Sequence, residues 1–217
     1  MSHVWQYFSD NRTEVLGWLR TTIWLALVPL GVGLAISLPL GWFASRFRWA
    51  YPAVISAGGL VYTIPSIVLF LVLPGILGTG ILDPVNVGVA LTIYCIALLV
   101  RAVADGLRSV DRTVLDSASG MGYSAFQRLI AVELPLAVPA IGAGLRVAAV
   151  SNVSLVAVAS TLGVSQLGSL FTIGNTTGDS TPIWLGLIMF VLLALIIDAT
   201  IVLGLRTAAP WRRAARA

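Results

Sequence analysis

Long uncharged stretches alternate along this chain with short breaks that carry arginine. Residues 21–45 lie between Arg20 and Arg46 without a charge, and residues 49–82 lie between Arg48 and Asp83 in the same way. A third apolar stretch covers 84–100 and continues toward Asp105, before a polar stretch, 102–133. Apolar sequence resumes near Leu134 and reaches Ser160, interrupted by Arg146; a last run extends from Ile183 to Leu205, interrupted by Asp198. A hydrocarbon core takes about 20 apolar residues per helix. The pattern therefore predicts an all-α polytopic membrane bundle of about five spans, one domain over 1–217. The second stretch is too long for one helix. Its span is expected from about Ala53 to Leu73, with Pro74, Gly75, Gly78 and Gly80 breaking the helix behind it.

The arginines set an orientation, since short cytoplasmic segments collect positive charge. With 102–133 inside, ten arginines are cytoplasmic, while only Arg12 and Arg20 lie outside, beside Asp10 and Glu14. This predicts an external N-terminal segment over 1–20, a cytoplasmic loop over 102–133 and a basic cytoplasmic tail over 206–217. Within the loop, residues 112–132 should form two short helices joined by a turn. Gly120 and Gly122 let the backbone reverse or pack closely. Ser124 and Gln127 have capping-box spacing, so a helix should start after Ser124. Val114, Leu115, Ala118 and Met121 share one helical face, an apolar face on a segment with no lipid to cover it. Pro135 suits an early helical position, where its missing N–H costs little.

Composition narrows the function. Charged residues make up 10% of the chain, against about 25% in a soluble domain. The excess positive charge flanks apolar spans instead of forming a patch, which argues against nucleic acid. Cys95 is the only cysteine, set in an apolar run and expected to pack there; His3 is the only histidine, so no imidazole-based metal site is expected. There is no lysine, so no Walker-type phosphate loop exists and ATP must bind on another chain. An intramembrane serine hydrolase lacks its Gly-x-Ser-x-Gly and a usable histidine. An aspartyl protease lacks a second membrane carboxylate beside Asp198. The chain is expected not to be an enzyme. A noncatalytic scaffold is the remaining rival, and dependence on a partner ATPase separates it from a transporter.

Asp116-Ser117-Ala118 is followed by Gly122 four residues after Ala118, and by Val132-x-Leu134-Pro135 beginning ten residues after Gly122. This spacing resembles the cytoplasmic Glu-Ala-Ala loop of ABC importer permeases of the binding-protein-dependent, MetI-like fold. Asp116 stands for the family's Glu and Ser117 for its first Ala. Further segments are similar to the osmoprotectant subfamily, which carries glycine betaine, carnitine, choline or proline betaine: Thr63-Ile64-Pro65-Ser66, Arg101 through Asp111, Gly120-Met121-Gly122, and Val132 through Pro139. Thr161 through Gly168 parallels another of its segments, with Val164, Ser165 and Gln166 in place of small residues. The resemblance implies a permease subunit in a bacterial inner or plasma membrane, with coupling to the ATPase through Asp116, Ser117, Ala118, Gly122, Val132, Leu134 and Pro135. It implies a cytoplasmic ATPase dimer that holds ATP and Mg, with no cofactor on this chain. It also implies a second permease, identical or paralogous, and an external solute-binding protein. A permease for another small solute, such as an amino acid, is the alternative.

Candidates for the solute path come from the residues themselves. Pro65 interrupts span two and frees a backbone carbonyl. Non-helical backbone at membrane depth faces protein or a water-filled cavity, which singles out Tyr62, Thr63, Pro65 and Ser66; a plain packing kink is the competing reading. Quaternary ammonium groups favour aromatic faces, adding Tyr94, although tyrosines also serve as interface anchors. Arg146 lies about 18 Å into span four, counted from Leu134 at the helical rise. It must face protein or water or snorkel, and Asp198 is the one acid at similar depth.

Overall fold

The computed structural model describes residues 2–208 and contains ten α-helices among them. They are α1 (Ser2–Asp10), α2 (Arg12–Arg46), α3 (Ala50–Thr63), α4 (Ser66–Leu77), α5 (Pro84–Arg108), α6 (Arg112–Gly120), α7 (Ala125–Arg128), α8 (Leu134–Val158), α9 (Ser169–Thr177) and α10 (Ser180–Ala208). A π-helical turn, Leu129–Glu133, joins α7 to α8, and a 3-10 turn, Ala159–Leu162, follows α8. Four helical runs are long and apolar enough to cross a membrane: α2, α5, the α7–α8 run and α10. The α3–α4 pair, bent by 99°, makes a fifth if it acts as one span. The all-α class and the number of apolar segments agree with the sequence. The predicted tail over 206–217 falls mostly outside the described residues.

Several boundaries differ, each for a physical reason. The segment expected as a separate N-terminal piece over 1–20 divides into α1 and the start of α2: Val4, Tyr7 and Phe8 of α1 pack against the core, and α2 already starts at Arg12. Pro74 and Gly75 do not break span two; α4 runs through them to Gly78, whose φ of 68° closes the helix. The break lies earlier, at Ile64–Pro65. Ile64 is extended, with φ −70° and ψ 126°, as the residue before a proline prefers. The polar loop is shorter than 102–133, because α5 continues to Arg108 and keeps Val103, Ala104 and Leu107 buried.

Helix α5 is the buried axis, and α2 and α8 pack on it through glycines. A Cβ at Gly33 would stand 2.6 Å from Cys95 Cβ, and one at Gly41 would stand 2.6 Å from Val103 Cβ. Gly144 of α8 meets Ala102 Cβ and has no room for a Cβ, while Gly142 lies under the end of the Leu205 side chain of α10. Such close backbone approach drives helix association where lipid supplies no hydrophobic force. Gly31, two residues before Gly33, has open space beside it. Cys95 is buried in this axis, as its sequence setting suggested.

At Pro29 and at the extended Ile64 before Pro65, helical donors are lost, and two polar side chains serve the backbone so exposed. Pro29 cannot donate to Leu25, one helical turn earlier. Asn152 of α8 reaches across and donates through Nδ2 to the Leu25 carbonyl at 3.4 Å and to that of Ala26 at 2.7 Å. At the α3–α4 bend the Tyr94 hydroxyl donates to the carbonyl of Ile64. An unpaired carbonyl in a membrane interior is costly, so both bonds fix where their helices lie.

Candidate functional site

The hairpin from Asp111 to Pro135 is built from local signals. Asp111 caps α6: its carboxylate accepts from the Thr113 N–H at 2.8 Å. That backbone bond holds the Asp111 carboxyl below the usual carboxylate range. At the far end, Gly122 N–H donates to Ser119 O at 3.0 Å and Tyr123 N–H to Ala118 O at 3.2 Å. This is the Schellman closure, which places a left-handed residue just past the helix. Gly122 supplies it with φ 88°, whereas Gly120 is an ordinary helical residue. Ser124 then opens α7 with the full capping box: Ser124 Oγ accepts from Gln127 N–H, and Gln127 Oε1 accepts from Ser124 N–H. A short helix, a turn and a new helix start thus stand where the spacing put them, although the second helix is not a separate short one but runs on into α8.

Pro135 does not start a new helix from a loop. It lies in the first turn of α8, and the π-helical turn ahead of it keeps the chain helical from Ala125 to Leu162. The Leu134 N–H bonds back to Leu129 O, five residues away. A wider turn of this kind relieves the contact between a proline ring and the preceding carbonyls.

The motif residues divide by environment. Ala118 is buried, and Leu134 packs on Val103, Leu107, Ala137 and Ile141 at the end of α5. Val132 and Pro135 are half-buried. Ser117 is exposed and donates to Thr113 O at 2.7 Å. Asp116 is exposed and turned toward the end of α2, where it lines a cavity with Arg46, Arg108 and Arg112. Arg128 ties the hairpin together, to Glu133 Oε1 at 2.9 Å and to Ser119 Oγ at 2.7 Å. The apolar face expected from Val114, Leu115, Ala118 and Met121 is only partly correct, because Ala118 turns inward. The exposed apolar surface comes instead from Met121, Phe126 and Ile130, which with Tyr123 line a groove of about 530 Å³. Met121 and Phe126 each leave 72% of their surface uncovered.

The path candidates separate into two places. Tyr62 and Tyr94 meet edge to face, ring centroids 5.5 Å apart, beside the Ile64–Pro65 break. Tyr62, Thr63 and Pro65 are exposed, Ser66 is half-buried and Tyr94 is buried. Arg146 is not part of this group. It forms a two-bond ion pair with Asp198 of α10, Nε to Oδ1 at 2.6 Å and Nη2 to Oδ2 at 2.8 Å. Fork-to-fork geometry makes this an oriented contact and not a snorkelling side chain. The Arg146 side chain nevertheless keeps 46% of its surface uncovered.

Sequence reasoning missed the polar pins of the core. Gln166 is fully buried; its Oε1 accepts from Gly168 N–H at 2.6 Å and its Nε2 donates to Ala157 O at 3.3 Å. Thr22 Oγ1 accepts from Leu167 N–H at 3.0 Å. The departure from small residues in this segment is thus compensated: the Gln166 side chain satisfies the loop's own backbone. For Asn152 a signal existed, because Pro29 requires some donor near Leu25.

A model of the family described as "Binding-protein-dependent transport system inner membrane component" matches residues 28–203. The osmoprotectant import permease protein OsmW of Salmonella typhimurium is 32% identical over 197 residues, covering 88% of this chain and 90% of that protein. The choline transport system permease protein OpuBB of Bacillus subtilis is 28% identical over 210 residues, 97% of this chain and 95% of that protein. Among solved structures, an inward-facing form of the MetNI methionine ABC transporter superposes with a TM-score of 0.80 at 22% identity, covering 92% of this chain and 98% of the other. That last likeness speaks for the fold alone.

Proposed function

This chain belongs to the family of binding-protein-dependent transport system inner membrane components, and from that premise we propose that it carries an osmoprotectant of the betaine, choline or carnitine kind inward. It is the permease subunit of an ABC importer. The substrate reading rests first on the relatives, whose names specify osmoprotectant and choline transport and whose similarity extends over nearly the whole chain. The observation that carries it at the level of residues is the Tyr62–Tyr94 pair at the broken helix. Such solutes bear a quaternary ammonium group, and an aromatic face attracts it electrostatically without requiring a hydrogen bond. Tyr62 is partly exposed while Tyr94 is held by the Ile64 carbonyl, so one ring is presented and the other supports it.

The remaining parts follow the same reading. A separate external protein delivers solute, and a separate ATPase pair supplies force. The Asp111–Pro135 hairpin is the lever on which the ATPase acts, with Met121, Phe126 and Ile130 seated in its groove. The arginine distribution supports a cytoplasmic hairpin, with the N-terminus outside and the C-terminus inside. A second permease copy or paralogue covers the α8–α10 face, where the half-uncovered Arg146–Asp198 pair would otherwise meet hydrocarbon.

The test is uptake of labelled glycine betaine, choline and carnitine, with methionine as comparison, by proteoliposomes that hold the permease, its ATPase and its binding protein. Uptake of quaternary ammonium solutes that falls in Tyr62→Ala and survives in Tyr62→Phe supports the proposal. Transport of methionine instead, or an unaffected Tyr62→Ala, overturns the substrate assignment.

A further inference from the structure

Behind the hairpin lies a second feature that coupling does not explain. A cavity of about 650 Å³ separates the hairpin from the ends of α2 and α5, and five guanidinium groups line it: Arg46, Arg48, Arg108, Arg112 and Arg128. Its carboxylates are Asp116 and Glu133, so three positive charges remain unbalanced. Two of the arginines are committed. Arg128 is paired with Glu133, and Arg108 lies over the Tyr51 ring at 4.0 Å. Among the described residues, no carboxylate comes within 4.0 Å of Arg46, Arg48 or Arg112. These three come from separate elements, Arg46 from the end of α2, Arg48 from the turn that follows it and Arg112 from the start of α6. Like charges gathered around one cleft call for an anion among them, and planar guanidinium forks match phosphate oxygens.

The neighbouring residues give the depth of this cleft. Phe43, Phe47 and Trp49 form an aromatic cluster at the end of α2, with Phe43–Phe47 centroids 4.8 Å apart and Phe43–Trp49 centroids 5.8 Å apart. Trp49 is 70% exposed. Uncovered aromatic rings at the end of an apolar span sit at the level of lipid headgroups. The cleft is therefore at phosphate height, on the side that the proposed orientation makes cytoplasmic, and basic pockets between helices on that side suit acidic headgroups. We propose that the Arg46–Arg48–Arg112 cleft binds the phosphate of an acidic phospholipid headgroup, which bridges α2 to α6 and steadies the hairpin from the membrane side.

The inference rests on the orientation given above, and its test is independent of it. The complete transporter, with ATPase and binding protein, is placed in nanodiscs of phosphatidylcholine with or without phosphatidylglycerol. Retained lipid is read by native mass spectrometry and protection of residues 109–128 by hydrogen exchange. Phosphatidylglycerol should be retained and should raise protection. Apparent affinity should fall about fivefold per arginine in Arg46→Gln, Arg48→Gln and Arg112→Gln, taking about 1 kcal/mol for each arginine near an anionic surface. The triple lysine variant, which keeps the charge, should retain the lipid, and this separates lost binding from misfolding. Equal retention by the triple glutamine variant overturns the proposal. So does protection by inorganic phosphate alone in phosphatidylcholine, which makes the ligand a soluble anion. Full protection in pure phosphatidylcholine also overturns it, since an acidic surface of the ATPase then fills the cleft. Lipid retention in a symmetric nanodisc depends on neither solute nor orientation, so it and the transport reading fail separately.

Discussion

Gly122 and Gly120 form a matched pair for testing the hairpin. Both have open space where a Cβ would stand, so a side chain at either meets no clash. They differ only in backbone: Gly122 holds φ 88°, and Gly120 is helical. Adding a Cβ to a left-handed residue costs about 1–2 kcal/mol, equivalent to roughly a 5- to 30-fold loss in the population of the native turn. Gly122→Ala should impose this cost locally, because α6 and α7 are short and the turn carries the chain directly from one to the other. Gly120→Ala should be neutral or favourable by up to about 1 kcal/mol, the difference in helix propensity. The assay is solute uptake and ATP hydrolysis measured together in proteoliposomes, with hydrogen exchange over 112–130 as a structural readout. Gly122→Ala should lower uptake several-fold while leaving ATP hydrolysis less affected, and should weaken protection of α6. A β-branched Gly122→Val should do more. Wild-type uptake in both Gly122 variants, or equal damage from Gly120→Ala, would refute the argument that this left-handed turn positions the lever.

Three further outcomes are expected. Asn152→Leu should lower stability by about 1–3 kcal/mol, since it leaves the Leu25 carbonyl buried without a donor; an unchanged thermal midpoint in detergent would count against this. Asp198→Asn and Arg146→Gln should each reduce folded yield, and the exchange Arg146→Asp with Asp198→Arg should recover part of it; equal loss in the double variant would show that the pair is not coupled. Asp111 has a lowered folded-state pKa, so its cap on α6 is fully present above the ordinary aspartate value of 3.8 and is lost as pH falls through the lowered one. Amide protection of α6 should therefore drop in acid in the native chain and lose that dependence in Asp111→Asn.

The sequence was most legible where structure is local. Apolar runs between arginines marked the spans, because lipid leaves few other solutions. Ser124 with Gln127 marked the start of α7, because a capping box needs only four residues. It was less legible where one local signal competed with another. Pro65 and Pro74 are both prolines in one apolar run, yet only Pro65 breaks the helix. Pro74 lies near the end of α4, where the lost bond is one of few remaining, and the carbonyl of Pro74 itself still accepts from Gly78 and Thr79. The break at Pro65 is secured by Tyr94, thirty residues away along the chain. No window of sequence contains that partner. The inward turn of Ala118 was equally hidden, since a helical face does not state which neighbour it will meet.

The two proline-linked contacts suggest why the molecule divides as it does. At Pro29 the partner is Asn152, deep between α2 and α8, and the helices there are also locked by Gly33 and Gly41 against α5. At Pro65 the partner is a single tyrosine hydroxyl, and the flanking Tyr62, Thr63 and Ile64 are exposed. A joint locked from several sides resists change, whereas the Pro65 bend, flanked by exposed residues, needs a replacement donor only for the Ile64 carbonyl in order to move. Alternating access requires some elements to keep their relation while others change it. On this argument α2, α5 and α8 should keep their relation to one another during transport, and the α3–α4 bend, proposed above as the place of solute contact, should be the element that changes its own.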